Sequence, residues 1–299
     1  MKRIKIAAIA LAACSSVWTS AHAAELTGTL QKVKETGIIS LGVRDSSVPF
    51  NYNLGGKRQV GYSYDINMRI VDAIKTQLNL PGLQVREIPI TSQNRISLLQ
   101  NGTIDIECGS TTNNVERQKQ VAFTNTIFII GTRLLTKKEY GVNDWADLKG
   151  KNVVVTAGTT SERLLRKMND DQKMGMNIIS AKDHGQSFLN VESGRAVAFM
   201  NDDALLYGER AKSKNPAEWI VVGKPQTREA YGCMIRKDDA PMKKLSDGVI
   251  AGLMKDGTVN TMYTKWFTQP VPPNGYSLDF PLSEDMKALF KNPNDRALD

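Results

Sequence analysis

Short β-rich runs alternate with helical patterns through most of this chain, and the order of that alternation constrains the fold more than any other feature. Residues 38–43 are apolar and β-prone, and Gly37 closes a short helix before them. Ile66, Ile70, Ile74 and Leu78 recur every four residues, the spacing of an amphipathic helix with one buried face. Residues 85–90 read as the next strand, and a helix over 95–101, ended by Gly102, delivers the chain to a strand over 104–109. A second series opens after Lys137 and Lys138. The polar connector Asp147-Leu148-Lys149-Gly150-Lys151 leads to the β-branched run Val153-Val154-Val155-Thr156, and Thr159 and Glu162 have the capping-box spacing that starts a helix. A strand at Ile178 and Ile179, a helix over 184–193 and a strand over 196–201, ending at Asp202, complete the series. Residues 231–236 and the helical patterns over 241–267 then return to the first unit. The predicted architecture is α/β, two lobes with the first interrupted by the second, and hinge strands near 132–136 and 226–230. This divides the chain into a leader (1–23), lobe 1 (24–133 with 229–299) and lobe 2 (134–228).

The composition, 41% hydrophobic and 23% charged over 299 residues, is that of a globular chain with a substantial core. Lys and Arg outnumber Asp and Glu by 39 to 31, but Lys2, Arg3 and Lys5 sit in the first five positions and the rest are interleaved with acids. That pattern lacks the clustered basic stripe of a nucleic-acid binder. The same three residues precede an apolar run over 6–13, and Ala21-His22-Ala23 supplies the small, any, small pattern of a signal peptidase site, so an export signal cleaved after Ala23 is expected. A second reading takes Leu11-Ala12-Ala13-Cys14 as a lipoprotein box that leaves Cys14 acylated. No later stretch approaches the ~20 apolar residues of a membrane span. Beyond the leader only Cys108 and Cys233 remain, an even pair in a chain sent to an oxidising compartment. A disulfide between them requires two strands distant in sequence to be neighbours; two buried thiols are the other reading.

The run from Cys108 to Arg117, Cys-Gly-Ser-Thr-Thr-Asn-Asn-Val-Glu-Arg, carries the most chemistry. It joins a strand with period-two alternation to a hydroxyl-rich turn and a helix start at Asn113 and Asn114. Free N–H groups there carry partial positive charge, and Arg117 adds a planar fork matched to a carboxylate. A capped turn with a solvated arginine is the plainer reading. Other distinctive residues fall at strand ends or helix starts: Arg44, Ser92, Arg95, Ser110, Thr112, Thr160 and Asp202. Singly each has a duller role, Arg44 as a surface charge, Ser92 and Asp202 as helix caps. Together they occupy the edge where open α/β sheets bind ligands.

On these segments the chain resembles the periplasmic solute-binding proteins for polar amino acids that serve ABC importers. The likeness covers nearly everything after the leader. It rests on Arg44-Asp45-Ser46-Ser47-Val48-Pro49-Phe50, Val60-Gly61-Tyr62-Ser63-Tyr64-Asp65, Ile90-Thr91-Ser92-Gln93-Asn94-Arg95, the 108–119 stretch, the 147–151 connector, Gly158-Thr159-Thr160-Ser161 and Met200-Asn201-Asp202-Asp203. The match is nearest to the glutamate/aspartate binders. The resemblance implies a type II periplasmic-binding-protein fold, two α/β lobes joined by two hinge strands with the ligand cleft between them. It implies that Arg117, Thr112 and the amides near Ser110 hold the α-carboxylate and that Asp202 faces the α-ammonium. Arg44, Arg95, His184, Ser92 and Thr160 are left to form a second positive pocket for the side-chain carboxylate, because burying an unpaired charge is costly. His184, after Lys182 and Asp183, reads equally as a helix-start residue bonded to its neighbours. Lys265-Trp266-Phe267 and Tyr52 read as packing. The expected partners are L-glutamate or L-aspartate and an inner-membrane ABC permease, for a periplasmic monomer without cofactor, metal or nucleic acid. Two other function classes remain open: a secreted dehydratase or lyase for a small acid, with His184 or Glu107 as its titratable group, and a sensory module with the same ligand site.

Overall fold

A computed structural model describes residues 26–298 apart from Lys57 and Asn274, so the leader, the cleavage after Ala23 and the Cys14 alternative lie outside the described residues. The first series of elements is α1 (Gly28–Thr36), β1 (Ile38–Arg44), the short strands β2 (Ser46–Ser47), β3 (Asn51–Asn53) and β4 (Gln59–Val60), α2 (Tyr62–Leu78), β5 (Gln84–Ile90), α3 (Arg95–Gln100), β6 (Ile106–Glu107), α4 (Val115–Gln118) and β7 (Ala122–Ile130). The second is β8 (Thr132–Lys137), β9 (Asn152–Thr156), α5 (Thr160–Asp171), β10 (Asn177–Ala181), α6 (His184–Glu192), β11 (Ala198–Asp202), α7 (Asp203–Lys212) and β12 (Trp219–Val222). The chain returns through β13 (Glu229–Ile235), α8 (Ala240–Lys255), α9 (Thr258–Tyr263) and α10 (Glu284–Lys291).

Two five-stranded sheets result, in the orders β5-β1-β6-β13-β7 and β10-β9-β11-β8-β12. In each, three neighbouring strands run parallel and the remaining pairings are antiparallel. The chain passes from the first sheet to the second at Gly131 and back over residues 223–228. The two crossings lie side by side: Gln226 N donates to Thr132 O at 3.1 Å. A Cβ on Gly131 would come within 2.7 Å of Pro225 Cβ, so the crossings touch without room for a side chain.

The valine run of β9 shows why this sheet forms. Val153 and Val155 face Leu148, Leu165 and Met168, while Val154 faces Phe188, Phe199 and Trp219 on the other side. A strand covered on both faces wants a continuous apolar, β-branched sequence. In the first lobe, Ile66, Ile70, Ile74 and Leu78 form the buried face of α2, as their spacing requires. The core there is centred on aromatic rings: Phe128 lies 4.7 Å from Phe267 and 4.9 Å from Phe50, and Phe50 lies 5.1 Å from Tyr231. Each such pair adds about 0.5–1.5 kcal/mol beyond area burial, and the Phe50 ring packs Tyr231 into this cluster. Tyr52 and Trp266 meet edge to face at 6.1 Å, in keeping with a packing role.

Cys108 and Cys233 are bonded, with an S–S distance of 2.07 Å. The pair continues the β6 to β13 register in which Glu107 opposes Met234, so the strands are neighbours and the free-thiol reading falls away. The strand expected over 104–109 is shorter, Ile106–Glu107, because the chain leaves the sheet at Cys108 to form the hydroxyl-rich turn. Among the described residues no helix is long and apolar enough to cross a membrane.

Candidate functional site

The structure brings all nine candidate binding residues to the seam between the two sheets. Arg44 ends β1, Ser92 follows β5, Arg95 opens α3, Ser110 and Thr112 lie in the turn after β6, and Arg117 is on α4. Across the seam, Thr160 opens α5, His184 opens α6 and Asp202 ends β11. Eight of the nine are no more than 6% exposed, and Thr160 is half-buried. Gly158 (φ +77°) fits against the opposite lobe so closely that a Cβ would lie 2.6 Å from Gln93 Cα. Only glycine meets both demands, positive φ and no side chain. Farther along the seam, Gly185 N donates to Ser46 Oγ at 3.2 Å and Ser46 Oγ donates to Asp183 at 3.3 Å.

At the end nearest the chain crossings, the Asn114 side chain accepts from Arg117 N at 2.9 Å, so Asn114 is the cap that fixes α4. The Arg117 guanidinium donates to Thr112 O at 2.9 Å and across the seam to Gly158 O at 3.4 Å. Burial, then Arg95 and Arg163, bring the Arg117 pKa down to about 9. The hydroxyls of Thr112 and Thr160, one from each lobe, both donate to Glu229 Oε2, at 2.5 and 2.8 Å. Asp202 accepts from the Tyr231 hydroxyl, from Thr132 at 3.3 Å and from Ser161 at 3.4 Å. Burial and the neighbouring Glu229 push Asp202 well above the usual carboxylate range. A cation placed beside it would reverse that shift.

The far end is built differently. Arg44 Nη2 donates to Ser92 Oγ at 2.9 Å and lies 3.5 Å from His184 Nε2. Arg95 Nη1 donates to Ser110 O at 3.2 Å and to Thr111 Oγ1, whose own proton goes to Glu107 Oε2 at 2.6 Å. Burial and Arg95 bring the Arg44 pKa down to about 10, and burial lowers that of Arg95. Three buried atoms here, Arg44 Nη1, Arg95 Nε and Glu107 Oε1, take no hydrogen-bond partner among the described residues. Two orphaned guanidinium donors in one region are an unpaired cationic surface, which a buried anion would satisfy. His184 Nδ1 lies 2.8 Å from Thr156 Oγ1 and 3.2 Å from Asn201 Nδ2. Burial and the charges of Arg44, Arg95 and Lys212 hold the imidazole well below its ordinary pKa, hence neutral at pH 7. Its helix-start position and its place in the seam therefore coexist.

Several cleft residues escaped sequence reasoning. Glu229 and Thr132 lie in stretches that the sequence marks only as the path of the chain, and Thr111, between Ser110 and Thr112, carries no signal of its own beyond the hydroxyl-rich turn. Tyr231 sits in a strand read as core. Glu107 enters the sequence reading as a titratable group alone; period two places Asp105 and Glu107 on the face opposite Ile104 and Ile106, so two acids on one face of a central strand are the available signal. Gly109 makes room for it, since a Cβ there would lie 2.3 Å from Glu107 Oε1. Among the described residues no group of His, Cys, Asp and Glu side chains is arranged to hold a metal ion.

Residues 39–269 match the model of the bacterial extracellular solute-binding proteins, family 3. The chain is 62% identical over 275 residues to the L-glutamate/L-aspartate-binding protein of Pseudomonas aeruginosa, covering 91% of each. It is 58% identical to the glutamate/aspartate import solute-binding protein of Escherichia coli, over 100% of this chain and 99% of that one. Among solved structures, an ancestral arginine-binding protein bound to arginine superposes with a TM-score of 0.69 at 29% identity, covering 77% of this chain and 98% of that one. By sequence over most of its length, and by the two-lobed architecture it shares with that neighbour, the chain belongs to the bacterial extracellular solute-binding proteins of family 3.

Proposed function

We propose that this protein captures L-glutamate or L-aspartate between its lobes and delivers it unchanged to an inner-membrane ABC permease. The observation that carries the reading is the set of charges buried at the seam. Arg44 and Arg95, near Glu107, keep two guanidinium donors without a partner among the described residues, Arg117 supplies a third cation, and the carboxylates of Asp202 and Glu229 interact with Arg95 and Arg117. Cations for two carboxylates and an acid for one ammonium match the charges of an acidic amino acid. In this reading Arg117 and the backbone amides near Ser110 and Thr112 take the α-carboxylate, with the Thr112 and Thr160 side chains beside it on Glu229, so Thr160 moves from the side-chain pocket that the resemblance implied to the amino-acid end. Asp202 takes the α-ammonium, and Arg44, Ser92, Arg95 and His184 surround the side-chain carboxylate. A neutral glutamine would leave Arg44 Nη1 and Arg95 Nε facing an amide, a poorer partner for two buried cations. The relatives named for glutamate and aspartate agree.

The lobes divide near the crossings at 131–133 and 223–229, and closure is stabilised by the ligand's excess affinity for the closed pair. Export by a leader cleaved after Ala23, or acylation at Cys14, would place a monomer in the periplasm. Calorimetric titration with a panel of amino acids, followed by chromatography of the recovered ligand, tests the whole reading. Saturable binding of glutamate or aspartate with the ligand recovered intact supports it; conversion of the ligand to product would make the protein an enzyme on this fold.

A further inference from the structure

We infer that Glu229 is a positioning residue, a buried clasp that holds the lobes together by taking the hydroxyl protons of Thr112 from one lobe and Thr160 from the other. The inference deepens the ligand-capture reading above and rests on it. Glu229 is the first residue of β13, beside the chain crossings, and is 4% exposed. Its Oε2 accepts from Thr112 Oγ1 at 2.5 Å and Thr160 Oγ1 at 2.8 Å. Its Oε1 lies 3.2 Å from Thr227 Oγ1 and 3.4 Å from Thr132 Oγ1, hydroxyls on the two crossings that are 2.7 Å apart and distribute their two protons among each other, Asp202 and this oxygen. One carboxylate thus touches both lobes and both crossings. Its bond to Thr160 spans the seam and exists only while the lobes are together.

A hydroxyl has one proton, so those that Thr112 and Thr160 give to Glu229 are not available to a ligand carboxylate. Both hydroxyls then meet the ligand with lone pairs, and the α-carboxylate falls to Arg117 and to backbone N–H groups. The same carboxylate, next to Asp202, adds negative potential where the α-ammonium binds. Glu229 therefore acts on closure and on the shared amino-acid end of the ligand, and not on the side-chain pocket.

Stopped-flow measurement of L-glutamate association and release tests the clasp. Glu229→Gln keeps the shape and removes the charge, and is expected to speed release about tenfold, the loss of one strong charged hydrogen bond, with association changed less than about twofold. The preference for glutamate over glutamine stays as in the parent. Thr160→Val speeds release on its own, and the double variant releases no faster than the more affected single one, because both act through one contact. A merely structural residue would instead lower the ligand-free melting temperature and leave the release rate alone. Parent-like release from Glu229→Gln, tighter binding, altered selectivity or additive effects in the double variant overturn the clasp. If Glu229→Gln does not fold, Glu229→Asp, which keeps the charge and shortens the reach to Thr112 and Thr160, decides: parent-like release overturns the clasp and faster release supports it. A parent chain that binds no glutamate overturns the ligand-capture reading itself, a separate failure.

Discussion

The two ends of the cleft handle buried charge in opposite ways. Near the chain crossings, Arg117, Asp202 and Glu229 are each held by several protein partners drawn from both lobes. At the far end Arg44 and Arg95 each keep a donor with no partner among the described residues, as does one oxygen of Glu107. Buried polar groups left unsatisfied cost free energy, so a chain retains them where something else completes them. The comparison teaches where selectivity resides: the satisfied end is a general seat for an amino acid, and the unsatisfied end asks for an anion.

Removing the general seat has the largest expected effect. Arg117→Ala lowers affinity for every amino acid that binds, by about 100-fold or more, since it strips a buried charged partner from the ligand; calorimetry on the panel would show this, and a loss confined to acidic ligands would erase the distinction between the ends. At the far end, Arg95→Ala shrinks the glutamate to glutamine affinity ratio by about 10- to 100-fold, while glutamine itself changes little. An unchanged ratio there would mean that the orphaned donors do not choose the ligand.

Asp202 gives a smaller effect of opposite sign on stability. Its pKa is raised in the folded chain, so above the unfolded value stability is lost as pH climbs through the raised one. Asp202→Asn therefore raises the ligand-free unfolding free energy at pH 7 by about 1–2 kcal/mol while weakening ligand binding, a trade visible in paired denaturation and calorimetry. A variant that binds as tightly as the parent would show that the ammonium sits elsewhere. The smallest effect concerns His184, whose folded pKa is depressed. Below about pH 6.5 the unfolded chain takes up a proton that the folded one refuses, so stability falls with acidity. His184→Asn makes the loss between pH 6.5 and 5 shallower by up to about 1.4 kcal/mol per pH unit; an unaltered slope would show that the imidazole is protonated in place.

The α/β alternation, the buried face of α2, the strand-end position of Arg44 and the helix-start positions of Arg95 and Thr160 are legible because periodicity and turn chemistry are local. β7 was not read as a strand, since Thr124, Asn125 and Thr126 interrupt its apolar run; their tolerance depends on partners far away, Asp247 for Asn125 and Asn294 for Thr126. The Cys108 to Cys233 bond needed the adjacency of β6 and β13, which no local pattern reports. The negative side of the site was hidden for the same reason: Glu107 and Glu229 acquire meaning only when distant segments bring arginines and threonines to them.

The central claim is that the far end of the cleft is completed by the ligand's second carboxylate. A crystal structure of the protein with L-glutamate measures this directly. The account predicts the side-chain carboxylate within about 3.2 Å of both Arg44 Nη1 and Arg95 Nε, with the α-carboxylate on Arg117. A side-chain carboxylate directed to solvent, or a reversed ligand with its α-carboxylate between Arg44 and Arg95, would contradict it.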